Sequence, residues 1–125
     1  MYVIDTDILI DYLRLHDKAI NFLDNLKRKE RHIAFLTVFE LINGYNNKNQ
    51  EKKINNFLEN FVTLDLNTNI AKTALQIYKT KKWSTGLGIA DSLIAATAIK
   101  HKYALVTRNI KHYQNIADLK VKKPY

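Results

Sequence analysis

The chain has 125 residues, of which 20 are Lys or Arg and 12 are Asp or Glu, for a net charge of +8. That length suits a single domain over residues 1–125, large enough to bury a real core, and the absence of cysteine excludes disulfides, thiolate metal sites and a cysteine nucleophile. The longest uncharged apolar stretches, such as Ser92–Ile99, fall far short of the roughly 18 residues that cross a membrane, and Met1-Tyr2-Val3-Ile4-Asp5 is no basic leader, so a cytoplasmic protein without a membrane partner is expected. Met1–Asp5 reads as a short buried strand. Thr6 or Asp7 then caps a helix to about Leu15, with Ile8, Leu9, Tyr12 and Leu13 on its apolar positions. Asp17 caps a second helix carrying Ile20, Phe22, Leu23 and Leu26. His32–Leu36 is the next strand, and Thr37 caps a third helix that stops near Gly44.

Lys48–Asn60 forms another helix, Phe61–Leu66 alternates like a strand, and Thr68–Lys82 is helical. Gly86 and Gly88 mark a loop before a helix from about Ile89 to Lys102. Ala104–Thr107 is a buried strand, and Leu119–Val121 a last strand at the edge. Strands alternating with helices indicate an α/β domain with a mostly parallel central sheet flanked by helices. In such a sheet ligands bind at the carboxyl edge of the strands, near the point where strand order reverses.

Three carboxylates interrupt apolar sequence: Asp5 after Val3-Ile4, Glu40 within Val38-Phe39-Glu40-Leu41-Ile42, and Asp91 within Gly88-Ile89-Ala90-Asp91-Ser92-Leu93-Ile94. An unpaired carboxylate in such a setting costs several kcal/mol. Structural roles exist for two of them: Asp5 as a helix N-cap, Asp91 as the complement of a helix dipole. The topology nevertheless places all three at one edge, provided that Lys82–Gly88 climbs back up the domain. Seven extended residues reach roughly 23 Å, enough to undo the roughly 21 Å descent of a 14-residue helix. Clustered carboxylates raise each other's pKa, a divalent cation removes that penalty, and oxygen-only ligands favour Mg²⁺ or Mn²⁺. Residues 1–25 hold two basic side chains against five aspartates, and the remaining 18 basic and 7 acidic residues make a strongly basic body. Such a body attracts polyanions. Cluster and charge together fit a metal-dependent nuclease.

The ordered set Tyr2-Val3-Ile4-Asp5-Thr6-Asp7-Ile8-Leu9-Ile10, Glu40, Gly88–Ala98, and Leu105-Val106-Thr107-Arg108-Asn109 followed by His112-Tyr113 resembles the PIN-domain ribonucleases, specifically the VapC-type toxins of type II toxin–antitoxin systems. The resemblance spans essentially the whole chain. It implies the PIN-domain fold and an endoribonuclease using Mg²⁺ or Mn²⁺. It implies Asp5, Glu40 and Asp91 as the acidic, metal-holding cluster, with the hydroxyls of Thr6 and Thr107 in support. Asn109 stands where many PIN domains place a further acid; its amide oxygen can ligate a metal or hold a metal-bound water but brings no charge, which leaves a second metal site open and is compatible with a one-metal resting state. The implied mechanism has Asp5 and Asp91 bind the metal while Glu40 orients the attacking water, leaving a 3′-hydroxyl and a 5′-phosphate.

The same resemblance implies a VapB-type antitoxin and a homodimer within the toxin–antitoxin complex. Apolar residues on the first four helices, among them Phe22, Phe39, Tyr45 and Phe57, permit a groove for that partner or simply form core. The alternatives are an RNA-processing PIN nuclease without an antitoxin and a catalytically inactive PIN-like scaffold. Arg108 is the leading phosphate contact for RNA. Lys82 and Trp83 join a cation to an aromatic ring that could stack on single-stranded RNA. Asp7 and Asp11 are expected to cap or face solvent, and His112 to lie near the site.

Overall fold

The computed structural model describes residues 1–125. Five strands, β1 (Tyr2–Ile4), β2 (Arg31–Ala34), β3 (Val62–Leu64), β4 (Ala104–Val106) and β5 (Val121–Lys122), alternate with seven helices. These are α1 (Thr6–Leu13), α2 (Asp17–Asp24), α3 (Phe35–Asn43), α4 (Lys48–Leu58), α5 (Thr68–Lys81), α6 (Ile89–His101) and α7 (Ile110–Tyr113). The strands lie in the order β3-β2-β1-β4-β5, and every pairing is parallel. The α/β sheet read from the sequence is therefore present.

The register sets Val3 beside Leu105 and Ile4 beside Val106. Because side chains alternate across a strand, Val3, Ala34 and Leu105 face one layer, where they pack with Ile94, Ala95 and Ala98 of α6. Ile4, Ile33 and Val106 face the other, against Ile8 and Leu9 of α1, Leu23 of α2 and Leu41 of α3. Both faces of the sheet are covered, which is why the strands read as continuous apolar runs.

Several boundaries differ from the sequence reading. The second strand stops at Ala34, and Phe35 and Leu36 begin α3. Periodicity alone cannot divide the apolar run Ile33-Ala34-Phe35-Leu36 between strand and helix. Thr37 is consequently no cap but a fully buried residue of the first helical turn. Asp5 rather than Thr6 or Asp7 caps α1, and His16 rather than Asp17 precedes α2. The edge strand falls at Val121–Lys122 rather than Leu119–Val121, because pairing with β4 begins only where Leu105 N–H donates to Lys120 O (2.8 Å). The four-residue α7 and a 3₁₀ turn at Arg28–Glu30 are too short to leave a periodic signal.

β2 and β3 lie to one side of β1, and β4 and β5 to the other. The order thus reverses between β1 and β4, and a crevice opens beyond their carboxyl ends. Asp5 directly follows β1 and Thr107 directly follows β4. The segment after α5 brings the chain back to this edge. Gly86 sits on it with φ +68°, a left-handed conformation that glycine adopts without a Cβ penalty.

Candidate active site

Asp5 does two things with two oxygens. Oδ1 accepts the Thr6 N–H (2.8 Å) and so caps α1. Oδ2 accepts the hydroxyls of Thr107 (2.8 Å) and Tyr113 (3.2 Å). The helix cap and the acid site are therefore the same residue. Asp5 is only 7% exposed. Burial, then the nearby carboxylate of Asp7, push its pKa from 3.8 up to about 7, against the hydrogen bonds from Thr107 and Thr6. Asp91 adds to the repulsion.

Asp91 lies in the first turn of α6. Its Oδ1 lies 3.1 Å from the same Tyr113 oxygen, whose single proton the two acids share. One phenol thus stands between one oxygen of each acid, so the Asp5 and Asp91 side chains are neighbours although they are 86 positions apart in the chain. His112 Nδ1 stands 3.6 Å from the other oxygen of Asp91. The third acid is tied in through Thr6. Its Oγ1 donates to Glu40 Oε1 (2.6 Å), with the Thr37 hydroxyl 3.2 Å from the same oxygen of Thr6. The hydroxyls of Thr6 and Thr107 thus each reach one of the acids, Glu40 and Asp5 respectively.

Asp7 belongs to this cluster, contrary to the expectation that it caps or faces solvent. Its Oδ2 accepts the Arg108 backbone N–H (3.0 Å) and lies 3.3 Å from Thr107 Oγ1. Its Oδ1 is buried without a hydrogen-bond partner. Burial raises the pKa of Asp7, and the Arg108 and Ile8 N–H groups and the Thr107 hydroxyl oppose the rise. Asp11 is also buried. Its Oδ2 receives Arg108 Nη1 (2.8 Å) and the Tyr125 hydroxyl (2.7 Å). Burial pushes the Asp11 carboxyl up, but these two donors outweigh it and hold it below the ordinary range. Only the spacing Asp5, Asp7, Asp11 could have signalled that all three turn toward the fourth strand. Tyr113 gave less: a tyrosine on a four-residue helix.

Other expected residues stand apart. Asn109 donates its backbone N–H to Thr107 Oγ1 (3.0 Å), while its exposed side chain lines a neighbouring pocket. Its amide makes no hydrogen bond to the acids, because the backbone turn into α7 carries it past them. Arg108 spends one guanidinium nitrogen on Asp11. Lys82 and Trp83 do pair, with Nζ 4.6 Å from the ring centroid. They follow the far end of α5 and share neither hydrogen bond nor cavity wall with the acids.

The donor set suits a small hard cation. All candidate ligands are oxygens, and Mg²⁺ is held through one or two carboxylates while keeping several waters. The oxygens of Asp5 and Asp91 gathered on Tyr113, together with the orphaned Asp7 Oδ1, provide that. No three acidic or imidazole side chains close around one point in this arrangement, so the residues fit an ion completed by water rather than an all-protein cage. Tyr113→Phe tests the junction. Removing the hydroxyl leaves the buried Asp5 Oδ2 with one donor fewer, and should cost about 1–3 kcal/mol of stability in chelator, read by urea unfolding.

Comparisons with known proteins bear on the family and the fold. The family model described as "PIN domain" matches residues 2–118. The protein named "Ribonuclease VapC1" of Methanocaldococcus jannaschii is 31% identical over 121 residues, covering 96% of this chain and 84% of that protein. "Ribonuclease VapC19" of Mycobacterium tuberculosis is 31% identical over 122 residues, covering 95% and 97%. Among solved structures, a toxin–antitoxin complex from Klebsiella pneumoniae superposes with a TM-score of 0.84 at 27% identity, over 100% of this chain and 98% of that one. VapBC2 from Rickettsia felis, bound to a DNA fragment from its promoter, gives 0.80 at 25%, over 97% and 96%.

Proposed function

The chain belongs to the PIN-domain family, and from that premise we propose that it is a metal-dependent endoribonuclease, the cytoplasmic toxin of a VapBC-type pair, acting as a single domain over residues 1–125. The observation that carries this reading is the junction at which Tyr113 gathers Asp5 and Asp91 beneath the switch point of the sheet. The relatives named as ribonucleases and the toxin–antitoxin complexes of the same fold support it. They favour a partnered toxin over an RNA-processing nuclease or an inactive scaffold.

Mg²⁺ or Mn²⁺, when bound, would neutralise charge on the phosphate and lower the pKa of water. Asp5 and Asp91 would hold the ion, with the orphaned Oδ1 of Asp7 as a further oxygen. Thr107 fixes Asp5 and Thr6 fixes Glu40. Glu40, so oriented, places the attacking water and takes its proton. Water attacks phosphorus, the bond to the 3′ oxygen breaks, and that oxygen leaves as an alkoxide that takes a proton from solvent water to become a hydroxyl. The products carry a 3′-hydroxyl and a 5′-phosphate. Asn109 offers its amide on the substrate side of the rim.

A cleft of about 610 Å³ between α1, α3 and α4 is lined by Ile10, Leu13, Leu41, Tyr45 and Ile54, with Glu40 in its wall. We assign it to an apolar segment of the antitoxin, which would then reach the acid site at Glu40. Of the aromatics proposed for such a groove, Tyr45 lines it, while Phe22 packs with Tyr2 and Phe57 with Tyr12 and Phe61. Phe39 is exposed on α3 with Phe35 and Ile42. Their spacing puts them on one helix face, which we assign to a second copy in the homodimer.

The test is to induce the chain in cells without its partner and map RNA 5′-ends. New 5′-phosphate ends at a small set of sites, absent when an antitoxin is co-expressed, are the expected result. No new ends despite folded protein would remove the nuclease reading.

A further inference from the structure

A second concavity, of about 480 Å³, opens beside the acids, walled by His16, Lys18, Arg108, Asn109, Lys123 and Tyr125. We propose that it binds a backbone phosphate of single-stranded RNA, the one flanking the phosphate that is cleaved. The inference rests on the nuclease reading above and adds a subsite to it.

Its walls hold two lysines, an arginine and a histidine, and no Asp or Glu side chain. Asp11 lies behind Arg108, where it takes up one guanidinium nitrogen and holds the group in place. The rest of that guanidinium is open, since the Arg108 side chain is 49% exposed. Lys18 and Lys123 are exposed and make no ion pair. His16 stacks on Tyr125 with ring centroids 5.2 Å apart, which closes that side of the pocket.

Backbone adds to the field. His16 is the N-cap of α2, and its side chain makes no capping hydrogen bond. The first intrahelical bond is Ile20 N–H to His16 O (3.0 Å), so the N–H groups of Asp17, Lys18 and Ala19 precede the ladder. A helix start left so attracts anions. The carboxylate of Asp17 in that turn offsets part of this, and the side-chain cations of the wall exceed it.

The pocket and the acid cluster share one stretch of backbone. The N–H of Arg108 is bound to Asp7 and that of Asn109 to Thr107, the residue that holds Asp5. Arg108 and Asn109 lie within two residues of Thr107, at most about 7 Å of chain. A strand with one phosphate at Asp5 and Asp91 therefore places its neighbour at these cations. Negative and positive sites side by side fix the register of a polyanion, which neither would do alone.

The test uses the full chain, a labelled uridine decamer in chelator, and Lys18→Gln/Lys123→Gln. Both lysines lie outside the hydrogen-bond network, so the fold should be unchanged. Lys72→Gln/Lys100→Gln removes equal charge elsewhere and serves as control. The pocket variant should bind three- to ten-fold more weakly at moderate salt. Its slope of log affinity against log salt should be shallower by about 0.7 for each phosphate no longer neutralised, while the control keeps the wild-type slope. With Mg²⁺ added, KM for the decamer should rise at constant kcat, and cleavage of the dinucleotide UpU, which has a single phosphate, should not change. Equal binding by the two variants overturns the proposal, as does no measurable binding of the decamer by wild type. Preference for an Asp/Glu-rich peptide overturns it in favour of a protein ligand. Decamer binding that depends on the pocket, without cleavage, keeps the subsite and removes the nuclease.

Discussion

Asp91→Asn should lower RNA cleavage by at least about 10²–10³-fold, the scale seen when one preorganised electrostatic group is removed from a reacting centre, and leave the protein folded. The substitution keeps the shape and the oxygen that accepts from Tyr113. It removes one of the charges that would hold the ion. It also relieves the repulsion that Asp91 exerts on Asp5, so melting in chelator should not fall. Glu40→Gln should lose less, because the amide oxygen still accepts from Thr6 and can still orient water, though it cannot take the proton. The measurement is cleavage of a defined RNA by purified protein whose circular dichroism matches wild type. Unchanged cleavage by folded Asp91→Asn would falsify the acid-site reading.

The acids at odds with their surroundings were legible in the sequence because burial of charge is costly. Asp5, Glu40 and Asp91 stood out as interruptions of apolar runs, and the βα order placed them at one edge. What joins them was not legible. Tyr113 lies on α7, a helix of four residues without a periodic pattern, and nothing in its neighbours says that one hydroxyl meets two carboxylates. Asp7 was hidden for another reason. An aspartate three residues past a strand has ordinary roles as a cap, and only the approach of Thr107 and the Arg108 N–H across 100 residues and more makes it half-buried. The basic pocket is likewise assembled from distant segments: Arg108 stood out in the sequence as a phosphate contact, but nothing there joined it to His16, Lys18, Lys123 and Tyr125. Local pattern fixes elements and anomalies, and tertiary closure decides which anomalies touch.

Asp5→Asn should make the metal-free protein more stable at pH 8 and greatly weaken its stabilisation by Mg²⁺ or Mn²⁺. The carboxyl of Asp5 titrates at 3.8 when exposed and at about 7 when folded, chiefly through burial. Below 3.8 both states hold the proton. Between 3.8 and about 7 the folded state keeps a proton that the unfolded state has released, so stability falls as pH rises. Above that window both states are ionised and the loss is complete, with an upper limit of roughly 4 kcal/mol. Asparagine does not ionise, so its stability should lack this slope, and the two proteins should converge toward pH 4. Its oxygen keeps the cap on α1, while the hydroxyls of Thr107 and Tyr113 turn to accept from its nitrogen. Metal works against this gap. An ion that binds only the folded wild type at a hundred times its dissociation constant adds about 2.7 kcal/mol, and the variant, short of one ligand and one charge, should gain far less. Urea unfolding at pH 4, 6 and 8, with chelator and with metal, measures all of this. Parallel pH curves for the two proteins in chelator would show that Asp5 ionises in the fold without penalty, and equal metal shifts would place the ion away from Asp5.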